Sequence, residues 1–260
     1  MRHLKRKILL SVSVIVFIVL FLWKFLSFIY VPPILMYHSI DENESTTKLS
    51  LCPLGFEKQM KFLKEHHYNV ISLEDMADLI KNKKHIPANT VSITFDDGFE
   101  NNYKCAYPVL KKYSFPATIF VITNYVGAPG YLTWDQMKEM QKNGITLGSH
   151  TVSHQWLPHM DNDRLYSEIN LSKKLMEKHL GREVKFISYP IGAHDQRVKQ
   201  AVKDAGYKAA CATNPGPDSR WDDVYALKRL RISRTSNNLL VFWIESSGYY
   251  TFIKEIRDED

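Results

Sequence analysis

The sequence predicts an α/β fold: an incomplete or distorted (β/α) barrel of parallel strands, preceded by one N-terminal transmembrane helix. Three observations predict it. Short apolar, β-branched runs alternate with amphipathic helical segments about every thirty residues, the pattern of a parallel sheet with crossover helices. The polar residues with chemical potential, His38, Asp96, Asp97, His150 and the turn after Tyr189, all fall at the C-terminal ends of predicted strands. That rim carries the functional side chains of a barrel. Finally, residues 1–31 have a composition of their own, basic and then apolar.

In chain order, a basic cluster precedes an apolar run from Ile8 to Trp23, which resumes after Lys24 and ends at Pro32-Pro33. Residues 8–23 alone would span roughly 24 Å at ~1.5 Å per residue, and extension to Ile29 gives a comfortable bilayer length with Lys24 snorkelling. Basic residues on the N-terminal side predict a single-pass cell-membrane protein with its large domain extracellular. A cleaved signal peptide is the alternative, and it exports the same domain.

Ile34-Leu35-Met36-Tyr37 reads as a buried strand ending at His38, followed by a polar stretch over 41–50. Phe56, Met60 and Leu63 define one face of a helix to His66. Tyr68–Ile71 is a strand, and Ser72 caps a helix over Leu73–Lys81. Thr90–Phe95 is the clearest strand; a helix over Ala106–Tyr113 and a strand over Ala117–Val121 follow. Thr133 caps a helix over Asp135–Lys142 that Gly144 stops, and Ile145–Ser149 is the next strand. Asp163–Leu180 is a long helix, Val184–Tyr189 a strand running into Pro190, and Gln196–Ala205 a helix. Tyr207–Cys211 and Leu230–Ile232 complete the strands, and Arg257–Asp260 is expected to fray. The organisation is therefore a cytoplasmic stub and anchor over 1–31 and one domain over 32–260, its motif-bearing core at about 89–235.

The chain has 260 residues, 45% hydrophobic and 24% charged, with a net charge of +6. Arg2, Lys5, Arg6, Lys7 and Lys24 supply five of the six charges, and residues 1–30 contain no Asp or Glu. The remainder is nearly neutral, which argues against nucleic acid as a partner. Cys52, Cys105 and Cys211 are too few and too widely spaced to specify a pair, and read as small core residues.

Two segments carry the chemistry: Thr94-Phe95-Asp96-Asp97-Gly98 and Ser149-His150-Thr151-Val152-Ser153-His154. Adjacent carboxylates repel unless a cation sits beside them, and Gly98 lets the backbone turn so that the two diverge. Two imidazoles four residues apart on a helix or helical turn share a face. One Asp and two His can hold a divalent metal with open positions, leaving one Asp as a base. His159 is a third histidine nearby, either ligand or bystander. Each segment alone also suits a plain turn or ordinary histidines; their conjunction at strand ends favours a metal-dependent hydrolase.

In this order and context the two segments, with Phe115–Val121 and Leu132-Thr133-Trp134 between them, resemble the polysaccharide deacetylases, carbohydrate esterase family 4. The resemblance covers roughly residues 34–235. It implies that Asp97, His150 and His154 bind the metal and that Asp96 is the base. The family's third motif is an Arg-x-Pro-x-Gly turn whose Arg orients the base. Ser188-Tyr189-Pro190-Ile191-Gly192 keeps the Pro and Gly but has Ser where Arg is usual. Arg229 or Arg231 is a candidate substitute, although each also reads as a surface charge. Tyr189, Pro190, Ile191 and Gly192 form the expected substrate and oxyanion turn, with the Ile191 N–H as donor.

The usual late-strand His is missing, while Leu35-Met36-Tyr37-His38 has that character at the front of the domain. This is similar to the rearranged motif order of deacetylases acting on poly-N-acetylglucosamine, and makes His38 the expected general acid, as imidazolium. The expected cofactor is one divalent ion, zinc by default, with cobalt, nickel or iron compatible. The expected partner is an extracellular N-acetylated polysaccharide, an exopolysaccharide or peptidoglycan. Trp134 and Trp156 are candidates to stack on sugar rings or to pack in the core. The competing classes are a non-catalytic membrane-tethered glycan-binding module and a metal-dependent phosphoesterase; the latter lacks a Gly-rich phosphate cradle.

Overall fold

The computed structural model describes residues 2–41, 49–213 and 223–250. The expected fraying of Arg257–Asp260 and most of the polar 41–50 stretch lie outside them. Helix α1 (Arg2–Ile29) opens the chain, and its apolar side chains from Leu10 to Leu26 face solvent. Among the described residues no helix is long and apolar enough to cross a membrane, so the predicted transmembrane helix is present as a helix without meeting that criterion. The chain leaves α1 beside the last helix, where the Val31 N–H donates to the Gly248 carbonyl at 2.9 Å.

Strand β1 (Ile34–Tyr37) enters the sheet. A short parallel pair follows that the sequence did not suggest, β2 (Ser39–Ile40) with β3 (Ser50–Leu51). Helix α2 (Pro53–Glu65) starts with Pro at its first position, where a missing N–H costs nothing. Strand β4 (Asn69–Val70) is shorter than expected, and α3 (Leu73–Lys81) is capped by Ser72 as predicted. Strand β5 (Thr90–Phe95) is buried along its whole length. A π-helical turn, Asn102–Ala106, leads into α4 (Tyr107–Tyr113). The alternation continues with β6 (Ala117–Val121), α5 (Trp134–Lys142, with a Thr133–Gln136 capping box), β7 (Ile145–Ser149) and α6 (Asn162–Leu180, capped by Asp161 and ended at Gly181). Then come β8 (Phe186–Ser188), α7 (Gln196–Asp204), β9 (Ala209–Cys211), β10 (Leu230–Arg231) and α8 (Leu239–Ser246).

Every strand pairing is parallel, in the order β10-β1-β5-β6-β7-β8-β9, with β4 beside the start of β5. The two ends approach each other through the Cys211–Leu227 bridge, so the sheet curls into a nearly closed, distorted barrel. Side chains alternate along each strand. Leu35, Tyr37, Ile93, Phe95, Ile119, Val121, Leu147 and Ile187 belong to the large core that packs against the surrounding helices. Ile34, Phe120 and Phe186 face the other way and pack with α3.

That second face also carries Thr94, Asp96, Gly148, His150 and Ser188, by the same two-residue period. Gly148 is required there: a Cβ would sit 2.6 Å from the Phe120 ring. The strand ends after β10, β1, β5, β7 and β8 converge on one rim, which brings distant segments of sequence together.

Candidate metal centre and its base

The rim site is built from strand-end turns. After β5 the backbone turns sharply at Asp97 (φ 71°) and Gly98 (φ 73°), so the two carboxylates diverge. Asp96 continues the strand and points into the barrel, 1% exposed. Asp97 is displaced toward β7, where His150 and His154 stand. The expected helical presentation of these histidines is not what forms. They lie on a loop in which Thr151 and His154 both have positive φ. Glu168 of α6 holds that loop: its carboxylate accepts the Val152 and Ser153 N–H groups, each at 2.9 Å, and the Ser153 hydroxyl at 2.5 Å.

Asp97 Oδ1 lies 3.5 Å from His150 Nε2 and 3.7 Å from His154 Nε2. The ligand atoms of Asp97, His150 and His154 fall within 4.8 Å of one another, the only such group among the described residues. Ligands about 2.1 Å from a tetrahedral ion lie roughly 3.4 Å apart, so these spacings suit one ion.

The protonation states fit too. Burial pushes His150 down to about 4, so its ring is neutral. Its Nδ1 lies 2.8 Å from the Ser188 carbonyl, which only accepts. Nδ1 therefore carries the proton and Nε2 turns its lone pair toward Asp97. Burial also lowers His154. Burial, with the Asp96 charge beside it, raises Asp97 to about 7. A buried carboxylate next to another, faced by the Nε2 atoms of two imidazoles, is a site that a cation stabilises. His159 is not part of this group; its ring lies against Trp156.

Asp96 has a different partner. Arg229, just before β10, is fully buried and clamps it: Nη1 to Oδ1 at 2.7 Å and Nη2 to Oδ2 at 2.6 Å. The guanidinium also donates from Nε to the Ala212 carbonyl at 2.9 Å and from Nη2 to the Ser188 hydroxyl at 2.8 Å, while that hydroxyl donates to Asp96 Oδ2 at 3.2 Å. It packs over the Phe120 ring, 5.5 Å from the centroid. Reading Arg229 as a surface charge is therefore wrong. The Arg expected at position 188 comes from the opposite edge of the sheet, and Ser188 leaves the space it fills. Arg231 is exposed. Burial alone would raise the Asp96 carboxyl, but Arg229, foremost among the cationic and imidazole neighbours that include His150 and His38, helps hold the group well below the usual carboxylate range.

His38 follows β1, the strand between β10 and β5, on the same rim. Its carbonyl accepts from Asn102 Nδ2 at 2.7 Å, so the π-helical turn fixes this strand end. Its Nδ1 is buried with no hydrogen-bond partner. Burial lowers His38 to about 4, partly offset by Asp96 and reinforced by Arg229 and Arg231. In the free protein it is thus neutral imidazole rather than the imidazolium expected.

At the turn after β8, Ile191 has φ 58°, ψ 7°, a strained conformation for a β-branched residue, and its side chain is 60% exposed. The Thr213 hydroxyl donates to the Ile191 carbonyl at 2.7 Å and holds the turn. Tyr189 and Pro190 are buried beneath it, and the Tyr189 hydroxyl donates to the Tyr225 carbonyl at 2.8 Å. Trp134 stacks on His179, 4.2 Å between ring centroids, and packs against the core; Trp156 is 46% exposed near the rim. Cys52, Cys105 and Cys211 form no disulfide with one another.

Truncating Glu168 tests the loop directly. Glu168→Ala leaves the Val152 and Ser153 N–H groups without their acceptor and loosens His154. We expect metal affinity to fall about 10- to 100-fold, the usual effect of losing support behind a ligand. Chelator competition measures it; unchanged affinity would show that the loop holds its shape without the clamp.

The sequence matches the polysaccharide deacetylase family over residues 83–210. YxkH of Bacillus subtilis is 39% identical over 201 residues, covering 77% of this chain and 71% of that protein. The poly-beta-1,6-N-acetyl-D-glucosamine N-deacetylase of Staphylococcus aureus is 31% identical over 192 residues, covering 68% and 66%. The solved structure of Streptococcus pyogenes deacetylase PplD in complex with acetate superposes with a TM-score of 0.73 at 34% identity, covering 81% of this chain and 97% of that one. With a curled parallel barrel, a grouped Asp and two His, and a second Asp beside them, the chain belongs to the polysaccharide deacetylases, hydrolases of N-acetyl amide bonds.

Proposed function

We propose that this chain removes N-acetyl groups from an N-acetylglucosamine polysaccharide outside the cell membrane, with one divalent ion held by Asp97, His150 and His154. The observation that carries the reading is the division of labour between adjacent carboxylates. Asp97 faces the Nε2 atoms of two imidazoles, and Asp96 is locked by Arg229 with an edge toward the same space: Asp96 Oδ2 lies 3.9 Å from His150 Nε2. A non-catalytic glycan-binding module has no use for the second, ionised carboxylate. The Staphylococcus aureus relative's substrate and the front-loaded His38 support poly-N-acetylglucosamine as the polymer.

Bound there, the ion, by its donor set zinc (cobalt, nickel and iron suit it too), would polarise the acetamide carbonyl and acidify water. Asp96, ionised throughout the working pH range, accepts the proton of the attacking water. Arg229 fixes its oxygens and keeps it from rotating away. The Ile191 N–H, on the turn pinned by Thr213, donates to the tetrahedral oxyanion. His38 delivers a proton to the leaving sugar amine. It starts as neutral imidazole, so it must first gain that proton as Asp96 passes one on or as substrate enters. Helix α1, with its basic N-terminal residues and solvent-facing apolar side chains, tethers the domain to the membrane in this reading.

The test is acetate release by the full chain from β-1,6-linked poly-N-acetylglucosamine and from peptidoglycan, with and without chelator. Chelator-sensitive release from the first supports the proposal. Release from peptidoglycan alone transfers the activity to the cell wall, and release from neither overturns it.

A further inference from the structure

Beside the metal centre stands a group of aromatic side chains that neither the core nor the catalytic residues account for. Phe99, two residues beyond Asp97, forms an antiparallel bridge with Tyr131, and their rings stack at 5.3 Å. Tyr125 extends the row, 4.8 Å from Tyr131, and is 39% exposed. Phe99 and Tyr131 are half-buried. None of the three belongs to either hydrophobic core cluster.

The segment that carries Tyr125 and Tyr131 is stapled to both ligand loops. On one side the Leu132 N–H donates to the Gly98 carbonyl at 2.9 Å and the Glu100 N–H to the Gly130 carbonyl at 2.8 Å. On the other, the Thr123 N–H donates to the Thr151 carbonyl at 3.2 Å and the Asn124 N–H to the Val152 carbonyl at 3.0 Å. The segment is also bonded to itself, through Gly127 N–H to Leu132 O, Ala128 N–H to Tyr125 O and Tyr131 N–H to Ala128 O. The rings are thus held at a fixed position relative to Asp97, His150 and His154.

We propose that Phe99, Tyr131 and Tyr125 form a ledge on which pyranose rings adjoining the deacetylated sugar stack, so that the site engages several consecutive N-acetylhexosamine units rather than one. This rests on the polysaccharide reading above. A pyranose ring presents an apolar C–H face edged with hydroxyls. A flat, exposed aromatic with a phenolic tip matches that surface, burying apolar area while the hydroxyls stay wet. Because hydrogen bonds on both sides already order the ledge, little loop entropy opposes binding. Its continuity with the Asp97 turn makes a sugar seated on it a neighbour of the reacting unit in the same chain.

The measurement is acetate release from N-acetylglucosamine di- and pentasaccharides, alongside calorimetric binding of the pentasaccharide. Losing one stacking partner should raise KM for the pentasaccharide about three- to tenfold in Tyr125→Ala, with kcat within about twofold. The advantage of the pentasaccharide over the disaccharide should shrink by the same factor. Tyr125→Phe should restore it, since the ring and not the hydroxyl provides the face. Tyr166→Ala is the control: Tyr166 is equally exposed, lies on α6 and bonds to Asp204. An unchanged length advantage in Tyr125→Ala, with turnover intact, overturns the ledge. If the unaltered chain releases no acetate from either oligomer, the deacetylation reading fails and calorimetry decides the ledge. Tyr125-dependent binding then sustains it; equal binding, or none, overturns it.

Discussion

Arg229→Met should cost the protein both its activity and much of its stability. The guanidinium makes two short bonds to a carboxylate that water does not reach, plus bonds to Ala212 and Ser188. Removing one partner of a buried pair leaves the other charge uncompensated, a loss of about 3–5 kcal/mol and a melting temperature lower by about 10 °C. Turnover should fall about 10²- to 10³-fold, because Asp96 is freed to rotate and to take up a proton of its own. Arg229→Lys retains the charge but not the fork or the Nε bond, and should land between the two.

The stability loss has a pH signature. Burial raises Asp96, but Arg229 together with His150 and His38 more than reverses it, so the folded carboxyl titrates below its unfolded value near ~4. Such a group stabilises the fold above the unfolded value, and that contribution fades as pH falls toward the folded one. The gap between wild type and Arg229→Met should be widest near pH 8 and narrow steadily as pH falls, because burial without the guanidinium pushes the variant's Asp96 up, and a protonated Asp96 needs no partner. Denaturant melts across that range measure it. A variant with full activity and an unshifted midpoint would remove Arg229 from the positioning of the base.

Arg229 also marks where the sequence stopped being legible. The strand and helix alternation, the caps at Ser72 and Thr133 and the stop at Gly181 were readable because each is a local signal. The grouping of Asp97 with His150 and His154 was readable because Asp97 and His150 directly follow strands of strong β pattern and His154 is only four residues on. Lys228-Arg229-Leu230-Arg231, by contrast, has the composition of an exposed edge. Nothing local says that Arg229 is buried while Arg231 is exposed; that follows from barrel closure, which brings the start of β10 beside β1 and the Asp96 carboxylate.

The one available signal was negative: Ser188 left a buried base without its expected cation, and Arg229 and Arg231 were the cations offered at the closing edge. The histidine loop departs from its sequence pattern for a related reason. A four-residue spacing fits a helix, but Glu168, fourteen residues on, holds the segment in positive-φ turns instead. The π-helical turn behind His38 and the short β2–β3 pair likewise depend on contacts across the fold. The His38 charge was unreadable because burial and two arginines set it.

The sharpest test exchanges the two neighbouring carboxylates for amides. Asp96→Asn should lower turnover about 10²- to 10⁴-fold yet keep the metal, since Asp97, His150 and His154 are untouched. It should also destabilise the fold, because Arg229 stays buried without a charged partner. Asp97→Asn should do the reverse. It removes a ligand, so metal is lost and turnover with it, but the metal-free fold should not suffer. Burial raises the Asp97 carboxyl to about 7, so the folded state prefers the protonated form. A carboxyl raised in the folded state destabilises it progressively as pH climbs from the unfolded value near ~4 through the folded one. Metal-free Asp97→Asn should therefore match the metal-free wild type near pH 3, below the unfolded value, and exceed it near pH 8. Loading the wild type should cancel that difference, because the cation favours the ionised carboxylate that solvent exclusion opposes. Metal content by elemental analysis, paired with melting curves at both pH values, reads all four states. If Asp96→Asn loses the metal and Asp97→Asn keeps it, ligand and base are exchanged; if both keep it, the histidines hold the ion without either carboxylate.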